Sequence, residues 1–372
     1  MLKESLKFIW YDKPKMFGIL FGMVLSLFLV GQQVMICLAL LGSSVSLATF
    51  NQKYIWVVNT KCNQVIDLPS LDMRVGRNLF SVEGVETVSP MVLTAGNLKK
   101  TDGSKVALNI IGTTPPEFAG GPWNVIEGQK SDLLSTNAIF LDISNPELGK
   151  DLRIGETFEF NGKQVKVRGL TRRTEGLGTS YAFTSITMAR YLGNVPTTQA
   201  SAFLINWDKK YSANQVVNAI NTQIPNVKAY TGPDMRMKSI RYFAGNSGIV
   251  ASFGLLVVFA VITGFAIVGL TLYSAVNDRI KDYGTLKAIG GTNAVVRQLV
   301  LTQAALYSIV AFIIAYVCLV GFINATKDSL ELQLIPEIIY SLIGVTFFIA
   351  MASSLFAMRK ILKLEPAAIF RI

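Results

Sequence analysis

Residues 242–277 read YFAGNSGIVASFGLLVVFAVITGFAIVGLTLYSAVN and contain no charged side chain. Three further stretches share this property, at residues 16–50, 298–326 and 338–358. A helix that crosses the hydrocarbon core of a bilayer needs about 20 apolar residues, and each stretch reaches that length. Helices of soluble proteins usually end within about 20 residues. The four stretches therefore predict four transmembrane helices.

The composition of the whole chain also indicates a membrane protein. Of its 372 residues, 51% are hydrophobic and only 16% are charged, whereas soluble domains carry about 25% charged residues. Histidine is absent, which excludes histidine-based acid–base catalysis and a Ser-His-Asp triad. The three cysteines, Cys37, Cys62 and Cys318, are too few for a zinc site built from cysteine alone. We therefore expect no catalytic residue, no metal and no cofactor in this chain.

The net charge of +11 raises the question of a nucleic-acid partner. No dense run of basic residues interleaved with aromatic residues occurs in the chain. The basic residues concentrate instead beside the apolar stretches, where they suit a membrane surface. We therefore expect a lipid membrane as a partner and no nucleic acid.

The first apolar stretch has two interpretations, because a basic segment precedes it. A cleaved signal peptide would have an apolar region of only about 7–15 residues. Residues 16–41 are nearly continuous in their hydrophobicity, interrupted by Gln32 and Gln33. The length favours an uncleaved membrane anchor.

The charges that flank the four spans predict their orientation. Residues 1–15, 278–297 and 359–372 each carry four basic residues and at most two acids. Residues 327–337 carry one lysine and three acids. Short cytoplasmic flanks are enriched in lysine and arginine, so both termini and the middle loop are expected to be cytoplasmic. This predicts a multi-pass protein of a bacterial inner or plasma membrane.

The expected organisation follows the chain from span to span. It comprises a cytoplasmic segment at 1–15, transmembrane helix one with a stalk at 16–50, an extracytoplasmic domain at 51–243, a stalk with helix two at 244–276, a cytoplasmic loop at 277–297, helix three at 298–326, a short outside loop at 327–337, helix four at 338–358 and a cytoplasmic tail at 359–372.

The outside segment is long enough to form a folded domain with mixed secondary structure. The dipeptides Asp102-Gly103 and Asn161-Gly162 each separate two β-type runs, which predicts two hairpins. Residues 202–206, 212–224 and 227–230 predict a β-α-β element, and residues 71–80 predict a helix. The pattern indicates an α+β domain.

Little in this domain suggests chemistry. Asp142, Glu147 and Asp151 follow one another in a loop-like stretch without a nucleophile or a second carboxylate cluster. We expect them to be solvated surface acids. Cys62 has no partner cysteine outside the membrane, so we expect a free or buried thiol.

The middle cytoplasmic loop carries the most distinctive pattern. Residues 277–303 read NDRIKDYGTLKAIGGTNAVVRQLVLTQ, with apolar residues at positions 280, 283, 286 and 289 between charged ones. This spacing predicts a short amphipathic helix that ends at Gly290-Gly291. Thr292 or Asn293 can cap the helix that follows. A loop that lies on the membrane surface accounts for the same pattern equally well.

One segment of this loop resembles the coupling helix of MacB/FtsX-type ABC transporter permeases, and especially that of the DevC branch. The residues that carry the resemblance are Asp282, Tyr283, Gly284, Thr285, Leu286, Lys287, Ala288, Ile289 and Gly290. The order of one span, a large outer domain and three spans is also similar, as are residues 138–169 and 364–371. Gln303 departs from the family, in which many members carry glutamate at this position.

The resemblance implies a type VII ABC transporter permease with a MacB-like outer domain. Such a subunit is not an enzyme: it forms a dimer, here expected to be a homodimer, on two copies of a separate ABC ATPase that bind the ATP. The nine residues would then couple the permease to that ATPase. A membrane-fusion adaptor and an outer-membrane channel are further possible partners. In agreement, the chain lacks a G-x-x-x-x-G-K-[ST] phosphate loop.

The family resemblance leaves three functions open. Export or other work on the extracytoplasmic side is the first. The others are an FtsX-like regulatory or scaffold role that controls a cell-wall hydrolase, and the release of lipoproteins. An outer domain of this size favours transport.

The length of the first two apolar stretches suggests how such a permease would work. As continuous helices they would be longer than the hydrocarbon core, which is about 30 Å thick. The excess favours a stalk, and with it mechanotransmission, in which helices one and two act as a lever between the ATPase and the outer domain. Alternating access through a dimer interface is the competing mechanism.

Overall fold

The computed structural model describes residues 12–100, 102–148, 152–327 and 332–362, without the side chains of 286–288 and 360–362. The chain divides into two compact units. We call them the helical unit, Met1–Ala39 with Ile249–Ile372, and the outer unit, Leu40–Gly248. Residues 1–11, 101, 149–151, 328–331 and 363–372, Asp151 among them, lie outside the described residues.

The described residues form ten helices. They are α1 Lys13–Ser44, α2 Ser46–Phe50, α3 Arg74–Leu79, α4 Ile186–Gly193, α5 Ala213–Gln223, α6 Gly232–Asn246, α7 Ile249–Asp278, α8 Ile280–Ala288, α9 Asn293–Thr326 and α10 Pro336–Leu362. A 3-10 turn spans Lys130–Leu134.

Four of these helices, α1, α7, α9 and α10, are long and apolar enough to cross a membrane. The four predicted transmembrane helices are therefore confirmed. Their packing is mainly apolar, with few hydrogen bonds between helices. The Ser26 hydroxyl on α1 donates to the Ala260 carbonyl on α7 over 2.8 Å, and the Ser353 hydroxyl on α10 donates to the Phe265 carbonyl over 3.4 Å.

The outer unit contains thirteen strands within the described residues. They are β1 Ile55–Asn59, β2 Leu71–Asp72, β3 Val85–Lys99, β4 Lys105–Thr113, β5 Val125–Glu127, β6 Ala138–Asp142, β7 Thr157–Phe160, β8 Lys163–Thr171, β9 Glu175–Gly176, β10 Thr179–Ser185, β11 Gln199–Ala200, β12 Ala202–Trp207 and β13 Val227–Tyr230.

The main sheet has the strand order β13-β1-β12-β3-β4-β10-β6-β8-β5. Strand β3 joins its two halves, because its first part pairs with β12 up to Met91 and its second part pairs with β4 from Val92. At the changeover the Ser201 hydroxyl accepts a hydrogen bond from the Leu93 backbone N–H over 2.9 Å. Helix α5 packs on β13 beside one half, and α4 packs on β3 and β4 beside the other.

Both predicted hairpins are present. Strands β3 and β4 pair in antiparallel fashion around residues 100–104, and β7 pairs with β8 around Asn161-Gly162. Asn161 and Gly162 have φ values of 48° and 79°. A type I′ turn requires positive φ at both central positions, which asparagine and glycine tolerate best.

Two local predictions for this unit differ from the structure. Residues 71–80 contain the short strand β2 before helix α3, since β2 pairs with the distant strand β11. The β-α-β element is split, because β1 lies between β12 and β13 and is antiparallel to both. In both cases a strand partner far away in sequence decides the local structure.

Asp142 is buried and not a solvated surface acid. Only 1% of the surface of this residue is exposed. Its carboxylate accepts hydrogen bonds from the backbone N–H groups of Ser144, Arg173 and Thr174 and from the Thr174 hydroxyl, over 2.6–3.1 Å. The prediction was wrong because the residues that satisfy Asp142 lie mainly on a turn about 30 positions further along the chain.

The apolar stretch 242–277 is not one continuous helix. Helix α6 ends at Asn246 and α7 begins at Ile249. Gly248 between them has a φ of 69°, a left-handed conformation that interrupts a helix and that glycine adopts without steric cost. On the other side of the outer unit, α1 and α2 are separated only by Val45.

Candidate coupling site

Helix α8 follows the second spanning helix and precedes the third one. Its nine residues form the short helix that the sequence predicts between Asp278 and Asn293. The turn after it contains Gly290, with a φ of 97°. Thr292 occupies the N-cap position of α9, although its side chain makes no capping hydrogen bond.

The apolar residues of this segment do not share one face. Tyr283 is only 3% exposed, whereas Ile289 is 78% exposed. In a helix each residue advances by about 100°, so a spacing of three residues drifts by about 60° at every step. Over the nine positions from Ile280 to Ile289 this drift reaches about 180°, and the ends of the series point in opposite directions.

The remaining residues of the predicted site divide in the same way. Gly284 is buried, while Asp282, Thr285 and Gly290 are exposed. Leu286, Lys287 and Ala288 belong to helix α8, but their side chains lie outside the described part of the structure. The segment thus has a buried side at residues 283–284 and an exposed end at residues 289–290.

The side chain of Tyr283 is buried in the apolar core of the helical unit. Tyr283 shares this core with Val296, Val300 and Tyr307 of α9. Burial raises the pKa of Tyr283 to about 12. The phenol therefore stays neutral throughout the physiological pH range.

Gln303 is itself buried, with 8% of its surface exposed. Its amide nitrogen Nε2 has no hydrogen-bond partner among the residues that the structure describes. An unpaired buried N–H group costs about 1–3 kcal/mol, so this position is not optimised for stability alone. The unusual residue at this position in the sequence was the one signal that pointed to it.

A second contact lies where α7 ends. The Lys15 ammonium of α1 forms an ion pair with the Asp278 carboxylate and a second one, at 3.1 Å, with Asp12. Sequence reasoning missed this contact, because Lys15 and Asp278 are far apart in the chain and appear there only as flanking charges. Within the described residues, no group of three or more aspartate, glutamate, histidine or cysteine side chains could hold a metal ion.

Two models of known protein families match this chain, one over the first span and most of the outer unit and one over the last three spans. The family model described as MacB-like periplasmic core domain matches residues 17–223, and the model described as FtsX-like permease C-terminal matches residues 254–366. The chain belongs to the family of MacB/FtsX-type permeases. It is accordingly a permease subunit of an ABC transporter and a multi-pass membrane protein, and members of this family generally work with an ABC ATPase.

Solved structures of outer domains show weaker similarity. The periplasmic region of MacB from Actinobacillus actinomycetemcomitans is 10% identical in sequence, with a TM-score of 0.40. The match covers 50% of this chain and 92% of the MacB chain. The extracellular domain of the noncanonic ABC-type transporter YknZ from Gram-positive bacteria is 14% identical, with a TM-score of 0.35 and coverages of 48% and 98%. A domain of a putative permease from Porphyromonas gingivalis is 11% identical, with a TM-score of 0.33 and coverages of 49% and 91%.

No curated protein sequence matches the chain significantly. The resemblance to the DevC branch therefore stays a prediction.

Proposed function

We propose that this permease couples ATP hydrolysis by a separate ABC ATPase to mechanical work on the extracytoplasmic side of a bacterial inner or plasma membrane. The observation that carries the proposal is the division of the coupling segment. Tyr283 is buried in the helical unit, while Ile289, directly after the same short helix, exposes 78% of its surface. Such an exposed isoleucine beside a fixed anchor suits a protein contact.

The ATPase would meet the exposed residues of this segment, Asp282, Thr285, Ile289 and Gly290, together with Leu286, Lys287 and Ala288. Tyr283 and Gly284 are buried and would act on the ATPase contact by positioning the helix. The ATP would be bound by the ATPase, and the permease itself would need no cofactor. Both termini would be cytoplasmic, on the side of this contact.

Mechanotransmission is favoured by the character of the spans. The stretches 16–50, 242–277, 298–326 and 338–358 contain no charged residue that could line a path for a polar substrate. Helix α1 has 32 residues and would be about 48 Å long, against a hydrocarbon core of about 30 Å. A helix of this length can carry a displacement across the membrane.

The working unit would be a homodimer of the permease on two ATPase subunits. In an organism with an outer membrane, a membrane-fusion adaptor and an outer-membrane channel would complete the assembly, and the cargo would be taken up outside the cytoplasm. This arrangement is the export function that the family resemblance implies.

The ATPase contact is tested by the substitution Ile289→Asp in the full-length permease. A charge that is desolvated at a protein contact should cost about 2 kcal/mol or more, or roughly 30-fold in affinity for the ATPase. The matched control is Ile126→Asp, because Ile126 is 47% exposed and lies in the outer unit. Co-purification of the tagged ATPase measures both variants, and equal recovery with the two would overturn the assigned contact.

The mechanism is tested with the complex in sealed vesicles. Cysteines at Thr49 and Asn246, with Cys37 and Cys318 replaced by alanine, should cross-link between protomers at a rate that depends on ATP. Labelled cargo should not pass from the cytoplasmic side to the outside. Passage of such cargo driven by ATP would support alternating access instead.

A further inference from the structure

The third and fourth spanning helices, α9 and α10, leave a gap between them. A cavity of about 370 Å³ lies there, lined by residues 301–313 of α9 and 343–354 of α10. Its floor consists of residues that are at most 9% exposed, namely Ala304, Ser308, Thr346 and Ala350. Small residues on facing helices usually let two membrane helices approach closely, but here they leave a recess.

Large apolar side chains border this recess and are exposed. Ile309, Ile313 and Phe347 line it and expose 57–64% of their surface. The cavity is therefore a groove that opens sideways, toward the space that lipid chains occupy around a spanning helix. An unfilled cavity costs more free energy the larger it is, because the side chains that line it lose contacts. We therefore expect the groove to hold an apolar occupant.

The groove has no polar group that would need a polar ligand. None of the described residues that line it is charged. The hydroxyls of Ser308, Thr346 and Ser354 each donate a hydrogen bond to a carbonyl of their own helix, over 2.7–2.9 Å. A hydrocarbon chain can therefore fill the groove without leaving a buried hydroxyl unsatisfied.

The length of the groove matches one leaflet of a membrane. Along α9 it extends from Leu301 to Ile313, a distance of about 18 Å. One leaflet supplies half of the hydrocarbon core, or about 15 Å. The groove thus suits one acyl chain that enters from a single leaflet. Leu301 lies near the N-terminal end of α9, which the flanking charges predict to be on the cytoplasmic side.

A positive charge lies at this end of the groove. Arg297 precedes Leu301 by four residues, or about 400° of helix rotation, so both lie on the same side of α9. The Arg297 side chain is exposed and makes no ion pair or hydrogen bond with another described residue. A guanidinium group can bind two phosphate oxygens at once, and basic residues at the cytoplasmic end of helix clefts bind anionic headgroups.

We propose that the groove between α9 and α10 binds one anionic phospholipid of the cytoplasmic leaflet. Its acyl chain lies against residues 301–313 and 343–354, and its phosphate lies at Arg297. The lipid supplies the contacts that the two helices do not make with each other. The site uses no residue of the coupling segment and does not depend on the ATPase.

The test uses the full-length permease in bilayers of phosphatidylcholine. A trace of photoactivatable phosphatidylglycerol or phosphatidylcholine is added, both carrying the same diazirine-labelled acyl chain, and mass spectrometry locates the adducts after illumination. In the parent protein, the phosphatidylglycerol probe should label the groove about fivefold more than the phosphatidylcholine probe. This is the usual effect of one basic residue near an anionic lipid.

The headgroup contact is tested by Arg297→Gln, which should reduce the preference for phosphatidylglycerol to below about twofold. The matched control is Arg359→Gln. Arg359 is also exposed and lies in the last turns of α10, but it is about 140° around that helix from Ser354 and so faces away from the groove. This variant should keep the full preference.

The acyl-chain contact is tested by Ala305→Phe, which fills the groove. Labelling of the groove by both probes should fall at least about fivefold, because the ring occupies the recess. Ala325→Phe is the control, since Ala325 lies on α9 beyond the groove. Both alanines are exposed, so neither substitution disturbs a packed core.

Three results would overturn the proposal. Equal labelling by the two probes in the parent would show contact with bulk lipid only. A preference that survives Arg297→Gln would place the phosphate elsewhere. An absence of adducts in the groove with both probes would show that a second copy or another segment of the chain covers it. All three would leave the proposed function intact, because no ATPase is present in this experiment.

Discussion

The outer unit and the helical unit bury their polar groups in different ways. In the outer unit the Asp142 carboxylate receives four hydrogen bonds from three residues. In the helical unit the side chain of Gln303 is also buried, but its Nε2 group has no hydrogen-bond partner among the described residues. A complete set of hydrogen bonds fixes one arrangement of the side chain, whereas a buried donor without a partner costs free energy. The outer unit thus holds its buried acid by a complete set of hydrogen bonds, whereas the helical unit leaves a buried amide N–H group unsatisfied.

The largest expected effect is at Asp142. The substitution Asp142→Ala removes the acceptor for three backbone N–H groups, of which that of Thr174 is buried, and for the Thr174 hydroxyl, so we expect the outer unit to lose about 3–5 kcal/mol of stability. The free energy of unfolding can be followed in the full-length protein by tryptophan fluorescence, because Trp56, Trp123 and Trp207 all lie in the outer unit.

A matched control for this change is Asp102→Ala. The Asp102 side chain is 61% exposed and accepts hydrogen bonds from Ser104 at the surface. Its removal should cost less than about 1 kcal/mol, because water replaces the lost contacts. Equal losses for the two variants would contradict the contrast between buried and exposed acids.

Cys62 predicts a dependence on pH in the outer unit. Burial raises the pKa of its thiol to about 11, from an ordinary value of 9.0. The folded protein therefore prefers the neutral thiol, and this contribution is fully present below pH 9 and is lost as the pH rises to about 11. The loss should be on the order of 2 kcal/mol relative to Cys62→Ala, measured as the difference between their unfolding curves at pH 8 and pH 11. Parallel curves would show that the thiol is not buried in this way.

A smaller effect is expected at the changeover of strand β3. The Ser201 hydroxyl accepts from the Leu93 N–H and donates to the Leu93 carbonyl over 3.4 Å. The substitution Ser201→Ala should reduce stability by about 1–2 kcal/mol, because it leaves the Leu93 N–H group without its partner. Ser81→Ala, at an exposed serine, is the control, and urea unfolding of the full-length protein compares the two.

The smallest effect is expected in the helical unit. Ser26 donates one hydrogen bond to the Ala260 carbonyl, and Ser26→Ala should cost only about 0.6 kcal/mol, a usual value between helices in a membrane. Unfolding in mixed micelles, followed by helix content, measures this change. A loss as large as that of Asp142→Ala would remove the distinction between the two units.

Much of the fold could be predicted from local patterns. The four spans follow from uncharged stretches, and the Asn161-Gly162 turn follows from the preference of these residues for positive φ. The position of the short helix α8 between the second and third spans was equally accessible, since its ends are marked by charges and by Gly290-Gly291. These features depend on neighbours within a few residues, which the sequence displays directly.

The sequence by itself determined that the chain spans a membrane four times, carries an α+β outer domain and presents a short helix between spans two and three. Only the tertiary structure decided that Tyr283 is buried while Ile289 is exposed, that Lys15 meets Asp278, and that Asp142 is a buried acceptor. The physical reason is that hydrophobic length and turn chemistry act between near neighbours, whereas burial and hydrogen-bond partners depend on segments that meet only after folding.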